Sequence, residues 1–119
     1  MNYFSAPGVM SPKVISQMDL LKSTPYEIID EVCKYAGISS AELRSPSRKE
    51  ALCIARHMCV YLIKSKFKYR YALREVSIML GRVNHATALH SLRVVENMMQ
   101  TDVIFKRDVE TLKIKFKIY

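Results

Sequence analysis

Residues 80–92 read Leu80, Gly81, Arg82, Val83, Asn84, His85, Ala86, Thr87, Ala88, Leu89, His90, Ser91, Leu92. A glycine that stops one helix, a short gap, and an asparagine able to cap the next helix ahead of an apolar repeat of helical period spell two helices joined by a tight turn. The second helix is expected to open with polar side chains. Asn84, His85 and Thr87 fall in its first turn, a position from which side chains reach base edges when a helix is presented to a DNA major groove.

Working outward, Leu73, Val76, Met79 and Leu80 recur at helical spacing and predict the first helix of the pair over 71–80. Downstream, Ala88, Leu89, Leu92, Val95, Met98 and Met99 carry the second helix for about four turns, with His85, Thr87, His90, Ser91 and Arg93 toward solvent. His90, farther from the helix start, is expected to bond a buried carbonyl or side chain. Ser47 and Glu50 have capping-box spacing, and Ala51, Leu52, Ala55, Met58, Cys59 and Leu62 follow at three and four residues, which predicts a central buried helix over 48–65.

Thr24, Pro25 and Glu27 open an earlier helix that should end at Gly37, with Ile28, Ile29, Val32 and Tyr35 or Ala36 inward. Ser39 and Glu42 start a helix of about one turn, soon stopped by Pro46. Thr101 or Asp102 should cap a last helix whose inward stripe is Phe105, Val109, Leu112 and Phe116. Its end is open, because Leu112, Ile114, Phe116 and Ile118 alternate with Lys113, Lys115 and Lys117 and fit a strand equally well. At the other terminus residues 1–10 have no period, while Ser11, Pro12, Val14, Ile15, Met18 and Leu21 predict a short amphipathic helix over 12–22. The expected architecture is all-α: a compact multi-helix domain over 23–119 built on a helix-turn-helix, with an amino-terminal extension over 1–22.

A chain of 119 residues can bury a core without disulfide or metal support. Cys33, Cys53 and Cys59 are odd in number and form no Cys-x-x-Cys pair, as expected of buried thiols in the cytoplasm. The longest apolar run is too short to span a bilayer, and the amino terminus does not have the pattern of a signal peptide. Charge is unevenly spread: residues 1–43 hold three lysines against five carboxylates, so residues 44–119 carry a net +10. Such asymmetry favours a polyanionic partner, and double-stranded DNA ahead of a membrane surface.

Two basic stretches carry that charge: the loop with Arg48 and Lys49, and the run Lys64, Lys66, Lys68, Arg70 and Arg74, interleaved with Phe67, Tyr69 and Tyr71. Lys66 and Lys68 are candidate phosphate contacts. Cys53 and His57 stand four apart, a metal-ligand spacing, but two ligands make no site, and no metal is expected. With glycines at 8, 37 and 81 alone, the sequence holds no Gly-x-x-x-x-Gly-Lys loop. Neither paired carboxylates nor an activated nucleophile is evident. No nucleotide, no cofactor and no enzymatic activity are expected.

In two ordered blocks the sequence resembles the carboxy-terminal DNA-binding domain of the bacterial replication initiator DnaA. The first is Gly81, Arg82, Val83, Asn84, His85, Ala86, Thr87, Ala88, Leu89, His90, against a family pattern of a glycine-rich step, Arg-Asp-His-[Thr/Ser]-Thr and Val/Ala-Leu/Ile-His. The second is Ser47, Arg48, Lys49, then Ala55, Arg56, His57, Met58, Cys59, Val60, Tyr61, Leu62. The resemblance implies a Trp-repressor-like fold standing alone without the ATPase module, with a role in replication or transcription control. It also implies that Arg82, Asn84, His85 and Thr87 lie against major-groove bases and nearby phosphates. Arg48, with Lys49, would reach the minor groove, and Arg56 and His57 would take phosphate or groove contacts. Val83, Asn84, Ala86 and His57 stand where the family has Arg, Asp, Thr or Ser, and Gln. These departures keep open a second reading, in which the fold has lost base reading and binds a protein partner or another copy of itself.

Overall fold

The structure, a computed structural model, describes residues 24–82 and 85–118, the side chains of Tyr69 and His85 excepted. The helix expected over 12–22 and the Asn84 cap lie outside the described residues. Among these residues six α-helices follow one another: α1 (Pro25–Ala36), α2 (Ser40–Arg44), α3 (Glu50–Phe67), α4 (Leu73–Met79), α5 (His85–Thr101) and α6 (Val103–Lys115), with a 3-10 turn at Lys68–Arg70 between α3 and α4.

The all-α expectation holds, and α3 is the axis of the fold. Met58, Cys59 and Val60 are buried in succession, so helix surrounds α3 on more than one side. Against it lie Ile28, Ile29 and Val32 of α1, Val76 of α4, and Ala88 and Val95 of α5, all within 1% of complete burial. Phe105, Val109 and Leu112 of α6, which packs against α5, complete the core. The ends of α1 and α6 are joined by Tyr35 Oη donating to Asp108 Oδ1 at 2.7 Å and by Lys115 Nζ with Glu31 Oε2 at 2.6 Å. Both are exposed pairs and add little stability.

Helix ends decide where the chain turns. Three of them close the same way: the amide after the left-handed residue bonds five residues back, as Ile38 N to Cys33 O, Arg82 N to Ser77 O, and Ile118 N to Lys113 O. The left-handed residues are Gly37, Gly81 and Lys117, at φ 72°, 77° and 57°. The third closure removes the ambiguity of the tail: α6 continues as helix to Lys115, and Ile118 folds back into the core. The Ser39/Glu42 box forms, with Glu42 N donating to Ser39 Oγ at 3.1 Å and Ser39 N to Glu42 Oε1 at 3.0 Å. Asp102 caps α6 through Phe105 N.

Two expected boxes do not form. Thr24 receives Glu27 N on its backbone oxygen, and its side chain caps nothing. The Ser47 hydroxyl accepts from Lys49 N two residues on, which draws it into a local turn and starts α3 at Glu50 rather than at 48. At the other end α3 runs through Phe67, two residues past the expected end at 65. Phe67 and Tyr71 then pack edge to face at 5.3 Å.

Candidate nucleic-acid interface

The loop between α2 and α3 is held from beneath by Arg56. This side chain, expected on the contact surface, is 7% exposed, and its guanidinium donates to three backbone carbonyls: Nε to Leu43 at 2.7 Å, one terminal nitrogen to Ser47 at 2.8 Å, the other to Ser45 at 2.8 Å. The planar fork fits a curved loop whose carbonyls would otherwise be unsatisfied. Burial lowers its pKa, from a starting value so high that it stays charged.

The same loop is bonded to the turn between α4 and α5. The Ser45 carbonyl that receives Arg56 also accepts from Arg82 at 3.0 Å, and Arg44 Nε donates to Met79 O at 3.0 Å, at the end of α4. Gly81 completes the junction. A Cβ there would stand 2.7 Å from Arg44 O, so the positive φ and the close approach both require glycine. Loop and turn are therefore fixed to one another, and Arg48, Arg82 and Thr87 border one cavity of about 450 Å3.

Around this junction Arg48 and Lys49 are exposed, as is Thr87 in the first turn of α5, while Arg82 is half-buried. Asn84 lies outside the described residues, and His85 is the first residue of α5. His57 is half-buried rather than on the surface. Its Nδ1 lies 2.7 Å from Ser91 Oγ, which itself donates to Thr87 O at 3.0 Å. With the serine proton committed to Thr87, Nδ1 carries the imidazole proton and donates to the serine oxygen. Burial first, then the charges of His90 and Arg56, push its pKa down, so it is neutral at pH 7.

On α5, Ser91 and His90 exchange the surroundings expected of them. Ser91 is 1% exposed, whereas His90 is exposed and stands edge to face with His57, at 5.9 Å between ring centroids. Leu89, expected in the buried stripe, is largely exposed. The helix has turned so that a small hydroxyl, rather than an imidazole, faces α3.

Lys66 and Lys68 are not brought to this junction. Lys66 stands ten residues beyond Arg56 on α3, about 15 Å along its axis. Its Nζ donates to Phe116 O at 2.7 Å and so caps α6, while Lys64 Nζ takes the carbonyls of Lys68 and Tyr71. Lys68 is exposed beyond the end of α3. Sequence reading passed over Arg44 as a junction residue, since a basic residue ending a short helix carries no sign of the carbonyl it will reach. Among the described residues no group of three or more His, Cys, Asp or Glu is placed to hold a metal, and no helix is long and apolar enough to cross a membrane.

A short helix and a longer one meeting at a Gly81 turn, with the second presenting a polar first turn beside a basic loop, define a helix-turn-helix of the DNA-binding class. A family model, the bacterial dnaA protein helix-turn-helix, matches residues 25–95, and the chain belongs to that family. Among curated proteins it is similar to the chromosomal replication initiator protein DnaA of Bacteroides fragilis, 29% identical over 91 residues, covering 76% of this chain and 19% of the relative. The DnaA of Wolbachia pipientis is 32% identical over 105 residues, covering 84% and 22%. That of Lactococcus lactis is 25% identical over 112 residues, covering 94% and 24%. The chain thus spans about a fifth of the length of the relatives it matches. No solved structure matches significantly.

Proposed function

We propose that the chain binds double-stranded DNA with sequence preference, placing the first turn of α5 in the major groove and Arg48 in the adjacent minor groove. The observation that carries this reading is the junction itself: Arg56, Arg82 and Gly81 tie the basic loop to the turn, so two separate stretches of sequence are held as one surface. In the groove Asn84, His85 and Thr87 read base edges, and Lys49 and Arg82 neutralise phosphate. Arg48 is exposed and makes no hydrogen bond among the described residues, so its guanidinium is available to the negative potential of a narrow minor groove. Arg56 and His57 act beneath the surface as positioning residues. The process served is replication or transcription control, the first in keeping with relatives named as chromosomal replication initiators. Selection from a random duplex pool followed by footprinting tests the reading: one consensus with protection in both grooves is expected, and no consensus would contradict it.

A second reading, a protein-interaction module on the same fold, is favoured by one feature. Val103, Ile104 and Ile114 lie on one flank of α6 and are 82%, 63% and 67% exposed. Failure of the duplex selection together with self-association or a stable protein complex lost in Ile104→Asp would support it.

A further inference from the structure

The cavity behind the junction has a chemistry that duplex binding does not account for. It has a volume of about 450 Å3, within the range of small-molecule sites. Arg48, Arg56 and Arg82 line it, and no carboxylate does. Among the described residues the ion pairs are those of Glu31 with Lys34 and Lys115, none of which lines the cavity. Arg56 is thus a buried cation satisfied by neutral carbonyls and left without a counter-charge, whereas buried charges are as a rule paired.

A second, independent observation comes from α4. Ser77, on α4, is 2% exposed, lines the cavity, and its hydroxyl has no hydrogen-bond partner. A buried hydroxyl without a partner is unfavourable, and an acceptor entering the cavity would relieve it. Val60, Leu80 and Ala88, each nearly fully buried, also line the cavity and supply its apolar part.

We propose that this cavity binds a small organic anion, an oxyanion carried on a flat or apolar body, with the oxyanion between the guanidinium groups and the Ser77 hydroxyl and the body against Val60, Leu80 and Ala88. A duplex phosphate satisfies the rim, where Arg48 and Thr87 are exposed. Ser77 and Val60 are nearly fully buried, which suits a small ligand that diffuses in rather than a duplex phosphate. The site shares Arg48, Arg82 and Thr87 with the proposed duplex surface but does not depend on it, and it is tested without DNA.

The full chain is titrated at low salt with phenyl phosphate, benzoate, inorganic phosphate and the neutral control benzamide, following thermal unfolding and amide resonances. Phenyl phosphate or benzoate is expected to raise Tm by several degrees at millimolar concentration and to shift the amides of Val60, Ser77 and Ser91. Inorganic phosphate should act more weakly and benzamide not at all. Ser77→Ala should weaken the organic anion several-fold with Tm unchanged or raised, and Ser77→Leu, which fills the cavity, should abolish binding. Should Ser77→Leu fail to fold, Ser77→Ala and the resonance map decide. The proposal is overturned by absence of binding, by shifts confined to residues 48–49, by benzamide matching the anions, or by binding that Ser77→Ala and a folded Ser77→Leu leave intact.

Discussion

The two ends of α3 both carry basic sequence, and they use it in opposite ways. At the amino-terminal end Arg48 and Lys49 stand free in solvent because a different cation, Arg56, satisfies the loop carbonyls from below. At the carboxy-terminal end the cations themselves do that work: Lys64 takes the carbonyls of Lys68 and Tyr71, and Lys66 takes that of Phe116. A lysine bonded to a helix end is still a charge, but it is spent locally. On the proposed duplex surface, exposure of the cation, as at Arg48 and Lys49, therefore weighs more than the density of basic residues along the chain.

Breaking the clamp at the first end should have the largest effect. Arg56→Leu leaves the Leu43 and Ser47 carbonyls without this donor and Ser45 with Arg82 alone, and a loss of about 3 kcal/mol is expected from urea unfolding, since bonds to a charged donor contribute roughly 1.5–3 kcal/mol each and water recovers part of them. Duplex binding should fall with it even though no surface charge is removed. Unchanged stability would mean that the loop holds its shape unaided. Next in size is Gly81→Ala, where left-handed strain of about 1–3 kcal/mol is added to a contact 2.7 Å from Arg44 O. Thermal unfolding should show a lower Tm, and Gly37→Ala, with open space around its Cβ, should be milder.

The comparison is sharpened by variants that leave the fold alone. Arg48→Ala should cost about 1–3 kcal/mol on the preferred duplex with stability unchanged. Lys66→Ala should do the reverse, lowering stability by at most about 1 kcal/mol through the lost helix-end bond, with little change in duplex affinity. Smallest is a pH effect. The His57 pKa in the folded chain lies below its ordinary 6.5, so between the two values the unfolded chain binds more proton. That contribution to stability is complete above about pH 6.5 and is lost as pH falls through the window below it. His57→Gln should flatten this part of the stability profile, and a profile still as steep in the variant would place the titrating group elsewhere.

Much of this was legible in the sequence because it depends on local rules. The Gly81 stop, the Ser39/Glu42 box and the apolar repeat of α3 are read from neighbours within four residues, and the helices follow them. The site was legible only in outline. Arg48, Lys49 and Thr87 are exposed, but Arg56 is buried beneath the loop and the Lys66 amine is bonded to the Phe116 carbonyl. Their partners, the Ser45 and Phe116 carbonyls, are eleven and fifty residues away in sequence. No period or spacing carries such a contact. Ser91 was misplaced for a related reason: it sits only one residue from His90, and a small rotation of α5 about its axis decides which of the two faces α3.

The account stands most directly on the unequal ends of α3. Duplex affinity of the parent chain, Arg48→Ala and Lys66→Ala, measured across a salt series, tests it in one experiment. For five to eight neutralised phosphates the parent log-log slope should be roughly −4.5 to −7, and a lost phosphate contact removes about 0.9 from its magnitude. Arg48→Ala is expected to weaken binding and to flatten the slope by about that step, while Lys66→Ala keeps the parent slope. Equal flattening by the two variants, or flattening by Lys66→Ala alone, would contradict it.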